Sequence, residues 1–400
     1  MRAYLDHAAT TPLRPEAREA WLAASELVGN PSSIHGGGQD ARRLLEESRE
    51  RLAAIADCDP IEIVFTSGGT ESINLALKGL WWADAARHDS GARRIVVPTA
   101  EHHATLDTIE WLHSAEGAAL AWVPVDGVGR IRLDAWTEAV RSGEAALATF
   151  LAANNEVGTL QPVRELVREA ALAAVPVHLD ATSAFGHAAL GFRAIRSCTA
   201  SRDAGLVAMS LSAHKVGGPV GVGALVVARE AEIQPLLHGG GQQRGLRSGT
   251  QDVAGAAAFA VAAELAEAER ESEAVRLGAL RDRLVRGIRL AVPEAVVLGD
   301  PVDRLPGNVH VLFPGARGDA LLFLMDRADV AVSTGSACQA GVAEPSHVVR
   351  ALGRDEQDAR SVLRLTLGRT SSQRDVDAFL AALPEAYARA ASGPRSASRT

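Results

Sequence analysis

Four short segments, far apart in a chain of 400 residues, carry residue types that could act together on a small molecule. In Phe65-Thr66-Ser67-Gly68-Gly69-Thr70-Glu71-Ser72 an apolar run meets two glycines and then an amphipathic stretch from about Glu71. Glycines at such a turn let backbone N–H groups approach an anion at a helix N-terminus, and Thr70 adds a hydroxyl, which together suggest a phosphate site. An ordinary capped turn between strand and helix would read the same way. The segment is neither a Walker loop nor a GxGxxG fingerprint.

In Pro176-Val177-His178-Leu179-Asp180-Ala181-Thr182 a buried-type strand ends in a carboxylate, where open α/β sheets bind ligands. Asp180 is either a group that serves a cofactor or a helix N-cap. In Met209-Ser210-Leu211-Ser212-Ala213-His214-Lys215 a strand delivers a lysine to the glycine-rich turn Val216-Gly217-Gly218-Pro219. A lysine amine that is desolvated or set near other cations loses its proton more readily and can attack a carbonyl, so Schiff-base chemistry is one reading of Lys215. A surface lysine with a buried stem is the other. In Ser333-Thr334-Gly335-Ser336-Ala337-Cys338-Gln339-Ala340-Gly341 small residues surround one thiol. Such a loop is expected to be mobile and exposed, which would let Cys338 travel to a substrate and leave with a product attached; inert burial is the alternative. Cys58 and Cys198 lie in less glycine-rich settings and are read as structural.

These segments need a framework. After an arm ending near Pro15, apolar runs of strand length alternate with helix-length amphipathic stretches, the pattern of an α/β domain with a parallel sheet covered on both faces. Strands are predicted over 62–66, 94–98, 119–123, 145–152, 175–180, 206–211 and 222–228. From Val253 to about Leu290 one long alanine-rich helix is predicted, leading to a smaller α+β domain. There strands are predicted over 308–313 and 362–367, with helices over 318–326, 346–352 and 374–391. The division expected is an arm over 1–15 belonging to the small domain, a large domain over 16–261, a small domain over 262–391 and a disordered tail over 392–400.

Composition bounds the rest. About half of the residues are apolar and the net charge is −8, so nothing electrostatic favours a nucleic-acid partner. The start lacks the apolar stretch of a secretory signal and no run is long enough for a bilayer, so a cytoplasmic protein without membrane attachment is expected. Three cysteines without CxxC or CxxH spacing argue against a disulfide framework and a structural metal site.

Taken together, the segments resemble the cysteine desulfurases, in the class V aminotransferase branch of fold type I pyridoxal-phosphate enzymes. The resemblance spans nearly the whole chain. It includes Tyr4-Leu5-Asp6-His7-Ala8-Ala9-Thr10-Thr11-Pro12, Gly29-Asn30-Pro31-Ser32-Ser33, Ala100-Glu101-His102-His103 and Asn154-Asn155-Glu156-Val157-Gly158. It continues through His238-Gly239-Gly240-Gly241, Arg247-Ser248-Gly249-Thr250, Val362-Leu363-Arg364-Leu365 and Gly368-Arg369.

The resemblance implies that Lys215 binds pyridoxal 5'-phosphate as a Schiff base, that Asp180 pairs with the ring nitrogen, and that His102 stacks on the ring and assists proton transfer. It implies that Asn155 lies near the cofactor's phenolic oxygen and the substrate, and that Arg364 grips the substrate carboxylate as a bidentate fork. Gly69, Thr70, Ser212 and His214 would hold the phosphate, with Thr250 reaching over from the other subunit of a homodimer. The implied activity turns L-cysteine into alanine and leaves its sulfur as a persulfide on Cys338, for a sulfur-acceptor protein. The spacing from Cys338 to Glu344-Pro345-Ser346-His347 looks like the longer catalytic loop of the housekeeping and nitrogen-fixation subgroup. The chain departs from the family at Ser183, where a glutamine usually bonds the phenolic oxygen. A selenocysteine lyase or another class V aminotransferase would share most of these cofactor residues, and a scaffold for sulfur-accepting proteins is a non-enzymatic alternative.

Overall fold

A computed structural model describes residues 2–87, 93–198, 204–335 and 344–392. Cys338, and all of the expected tail except Ser392, lie outside the described residues.

The chain opens with the two-residue strand β1 (Ala3–Tyr4) and the helices α1 (Pro15–Ser25) and α2 (Gly36–Ala56). Strands and helices then alternate: β2 (Ile63–Thr66), α3 (Gly69–Arg87), β3 (Arg94–Pro98), α4 (His103–Glu116), β4 (Ala119–Val123), α5 (Leu133–Arg141), β5 (Ala145–Leu151), α6 (Val163–Leu172), β6 (Pro176–Asp180), α7 (Phe192–Arg196), β7 (Gly205–Ser212) and β8 (Gly223–Val227). The seven larger strands β2 to β8 form one sheet in the order β2-β8-β7-β6-β5-β3-β4. The central strands β5, β6, β7 and β8 are buried almost end to end, because helices cover both faces, and such strands read as continuous apolar runs.

The expected sheet is parallel, and from β4 through β7 it is. β8 is the exception, running antiparallel to both β7 and β2. The turn after Lys215 is too short for a crossover helix, so the chain returns directly beside the strand it has left. Gly217, at φ 88°, serves that reversal.

Helix α8 (Val253–Ala291) starts where Asp252 caps it, accepting from Gly255 N at 2.8 Å, and spans roughly 58 Å at 1.5 Å per residue. Its first turns, Ala256 to Ala266, pack into the core around the large sheet, whereas Leu277, Leu284 and Ile288 belong to a second core. That second core holds β9 (Val296–Leu298), β10 (Asn308–Leu312), α9 (Gly318–Arg327), β11 (Val330–Ala331), β12 (Val362–Thr366) and α12 (Gln373–Ala391). Strands β12, β10 and β9 form an antiparallel sheet, and β1 of the arm pairs with β11 in parallel. Between β11 and β12 lie the short α10 (His347–Ala351) and α11 (Glu356–Ala359). Their Val348, Val349 and Ala359 pack against the first core, so this stretch belongs physically to the larger unit although it lies late in the chain.

Candidate active site

Parallel strands collect their C-terminal ends along one edge, and here the edge carries most of the sequence candidates. β2 leads to Gly69 at the start of α3, β5 is followed by Asn155, β6 ends in Asp180, and β7 ends in Ser212, three residues before Lys215. One cleft is lined by Gly69, Thr70, His102, Asn155, Asp180, Ser183, Ser212, His214, Lys215 and Arg364. Asp6, Ala8 and Ala9 of the arm and Ser333 complete its rim.

At one end the cleft is built for an anion. A side chain at Gly69 would bring a Cβ to 2.9 Å of Thr182 Oγ1, so only glycine keeps this wall open. Thr182 Oγ1 is buried and has no hydrogen-bond partner among the described residues. Thr70, Ser212 and His214 line the same wall at the N-terminus of α3, whose dipole favours negative charge. Burial and the nearby Lys215 charge push the His214 imidazole down to about 4, so it is neutral, and its Nδ1 lies 3.2 Å from Thr10 Oγ1. Glu71 would be raised by burial, but hydrogen bonds from Arg247 and Ser67 win and hold its carboxyl below the usual range, tying the loop before Thr250 to this helix start.

Deeper in, Asp180 accepts from Thr182 N at 2.9 Å. His178, two residues earlier on the same strand face, is fully buried between Thr149 Oγ1 at 2.9 Å and Ser210 Oγ at 2.7 Å. Burial holds its pKa down at about 4, so a neutral imidazole supports the strand end. His102 caps α4, its Nδ1 accepting from Ala104 N at 3.1 Å, and burial also lowers its pKa. With Nδ1 engaged as an acceptor, the proton of the neutral ring sits on Nε2.

Lys215 Nζ donates to the carbonyls of Ala8 and, at 3.0 Å, Ala9, so the arm covers the lysine. The Arg364 side chain is buried on β12; Nη1 donates to Asn155 O at 3.2 Å and Nη2 to Asp6 Oδ1 at 3.1 Å. Its Nε is left without a partner among the described residues. Beside Lys215 a second, narrow cavity shares Ala8, Asn155, Ser183 and Lys215 with the cleft. Ser183 therefore stands in the partition between the two spaces.

In kind these groups suit a flat, phosphorylated heteroaromatic aldehyde: an anion cradle, a carboxylate at a strand end, an amine and a guanidinium line the same cleft. The orphaned Thr182 hydroxyl and the gap kept open at Gly69 both fit a phosphate there. Thr182 and Asp6 were not among the sequence candidates, since a threonine two residues after a strand-end aspartate and an acid in an arm carry no signal of their own. Thr250 is exposed and does not line this cleft. Cys338 lies outside the described residues, five positions after Ser333 on the cleft rim. Among the described residues no cluster of His, Cys, Asp or Glu could hold a metal ion, and no helix is long and apolar enough to cross a membrane.

Comparison with known proteins gives the same direction. The family described as aminotransferase class-V matches residues 3–379. An IscS-like cysteine desulfurase of Mycobacterium tuberculosis is 49% identical over 393 residues, covering 97% of each chain. The solved structure of a NifS-like protein superposes with a TM-score of 0.87 at 34% identity, over 97% of this chain and 100% of that one. The structure titled SspA in complex with cysteine superposes with a TM-score of 0.75 at 30% identity, over 92% of this chain and 99% of the other.

Proposed function

This chain belongs to the class V aminotransferase family, and from that membership we propose that it is a cysteine desulfurase in which Lys215, Asp180 and Arg364 act on L-cysteine and Cys338 carries away the sulfur. The observation that carries the reading is the convergence of these three charged side chains, from β6, the turn after β7 and β12, on one cleft.

Gly69, Thr70, Thr182, Ser212 and His214 would hold the phosphate of pyridoxal phosphate, with Asp180 at its ring nitrogen and His102 on its face. Bound there, the cofactor supplies an electron sink conjugated to the substrate's α-carbon. The protein supplies the rest. Arg364 orients the α-carboxylate through Nε and an Nη group, Lys215 Nζ takes the α-proton, and Asp180 keeps a proton at the ring nitrogen through its negative charge. The Cys338 thiolate then attacks the substrate sulfur. A sulfur–sulfur bond forms, the substrate's carbon–sulfur bond breaks, the electron pair passes to the β-carbon, and a proton delivered there completes alanine.

The same reading includes a homodimer. Val28 and Ile34 are 94% and 91% exposed, apolar side chains that a second copy would cover, and Thr250 lies outside its own cleft, where it could serve the partner's. The reading also keeps a large unit over 16–261 and a small unit of the arm plus 262–391, a division supported by the two cores except at α10 and α11, which pack on the first. A cytoplasmic location and a sulfur-acceptor protein complete the proposal.

Pure protein loaded with cofactor and given L-cysteine should yield alanine, with sulfide released when a thiol reductant is present. Pyruvate or glutamate as the product would assign the chain to a different class V reaction.

A further inference from the structure

Asn155 lines the cofactor cleft, and the next residue, Glu156, points into the protein instead, only 2% exposed. Ser346 Oγ donates to Glu156 Oε2 at 2.5 Å while accepting from Val349 N at 3.1 Å as the cap of α10. Gly335 lies against the same carboxylate: a Cβ there would come to 2.1 Å from Glu156 Oε2 and 3.1 Å from His310 Cε1. His310, fully buried, lies against the same cluster. One residue beyond Ser346, His347 Nε2 lies 2.8 Å from the carbonyl of Glu101, the neighbour of His102, and its ring meets His103 edge-on at 4.8 Å.

Chain order gives this cluster its meaning. Gly335 and Ser346 stand on either side of the stretch that contains Cys338. Both touch one buried carboxylate, and that carboxylate belongs to the residue after Asn155. The return side is fixed a second time, to the residue before His102. Both anchor points are therefore one residue from groups that line the cofactor cleft.

We propose that Glu156 is a positioning residue for sulfur transfer: through Ser346 and against Gly335, its carboxylate sets where the Cys338-bearing stretch leaves and rejoins the fold relative to the cleft. This rests on the reading of Cys338 as the sulfur nucleophile. The step it serves forms a bond between the Cys338 sulfur and the substrate sulfur and breaks the substrate's carbon–sulfur bond, with the electron pair passing to carbon and a proton neutralising it. An approach of this kind is sensitive to placement, and an error of about 1 Å in a reacting group can cost on the order of 100-fold in rate. Removal of the α-proton by Lys215 uses other groups and gains nothing from the clasp.

The two steps can be read apart in the cofactor-loaded protein. Glu156→Gln keeps the size and one acceptor oxygen; Ser346→Ala removes only the hydroxyl and serves if the first variant folds poorly; Ser346→Thr restores the hydroxyl. On adding L-cysteine, the change in the cofactor's visible band reports binding and α-proton chemistry, and mass spectrometry over a single turnover reports persulfide on Cys338. In Glu156→Gln and Ser346→Ala we expect persulfide formation slowed by about 10- to 100-fold, the band change kept close to wild type, and near-complete recovery in Ser346→Thr. Wild-type rates of persulfide formation in the first two variants would overturn the proposal. So would a band change that slows in step with persulfide formation, since Glu156 would then act through Asn155 on the cofactor site. Wild-type protein that turns over cysteine without sulfur on Cys338 would instead remove the underlying reading, and the proposal with it.

Discussion

Arg364 Nη2 lies 3.1 Å from Asp6 Oδ1, an ion pair that joins the last strand to the N-terminal arm across 358 positions of the chain. With Nη1 on the Asn155 carbonyl, the guanidinium plane is fixed before any substrate arrives, and Nε is the donor still without a partner among the described residues. Lysine cannot replace it, because a single ammonium cannot hold both contacts and a substrate carboxylate in one fixed plane. Arg364→Lys should therefore lower kcat as well as raise KM for cysteine, by about 1.5–3 kcal/mol in kcat/KM for one lost charged hydrogen bond. A rise in KM alone would make Arg364 a uniform binding contact and not an orienting one.

Lys215→Ala should lose both the visible cofactor band and all turnover. The neighbouring His214 cannot form the covalent link, and no other lysine lines the cleft. A cofactor adduct that borohydride still reduces in this variant would refute the assignment of Lys215.

Cys338→Ser should still bind cofactor and show the spectral response to cysteine, yet form no persulfide. In the wild type the added sulfur should map to Cys338. Cys58 is buried, and burial pushes its thiol well above the ordinary range, so it holds almost no thiolate near neutrality. Sulfur found on Cys58 or Cys198 would contradict the loop assignment.

Ser183 lines both the cleft and the second cavity beside Lys215, at the position where the family resemblance implies a glutamine donor to the cofactor's phenolic oxygen. A donor to that oxygen stabilises the phenolate, which then holds the neighbouring imine proton less tightly. Ser183→Gln should lower the pKa read from the cofactor's visible band, by about one unit at most, or roughly 1.4 kcal/mol. A spectroscopic titration giving an unchanged or higher value would mean that Ser183 already provides an equivalent donor.

Burial lowers both His178 and His310 from 6.5 to about 4 in the folded protein. Between those values the unfolded chain binds protons that the fold refuses, so stability is complete above pH 6.5 and falls as pH drops towards about 4. The urea midpoint of the protein should be lower at pH 5 than at pH 7. Equal midpoints would show that these imidazoles are protonated within the fold.

The sequence by itself determined what depends on neighbours along the chain. Apolar runs bounded by glycine, proline and charge locate β3 and β4 at their observed ends and α8 to within a residue, because strand and helix periodicity are short-range properties. Local pattern also marked Gly69, Thr70, Asp180 and Lys215 as candidates one segment at a time, whereas Ser212 came only from the family resemblance; the largely parallel sheet then brings these strand ends to one edge. The tertiary structure alone decided the rest. β1 and β11 are two residues each, too short to carry a period, and exist because they pair with one another. The antiparallel course of β8 follows from a turn too tight for a crossover. The partners of Arg364 and Glu156 lie about 358 and 190 positions away, so which carboxylate meets the guanidinium, and which hydroxyl meets the carboxylate, was settled only when distant parts of the chain packed together: the arm on β12, and α10 on the larger core.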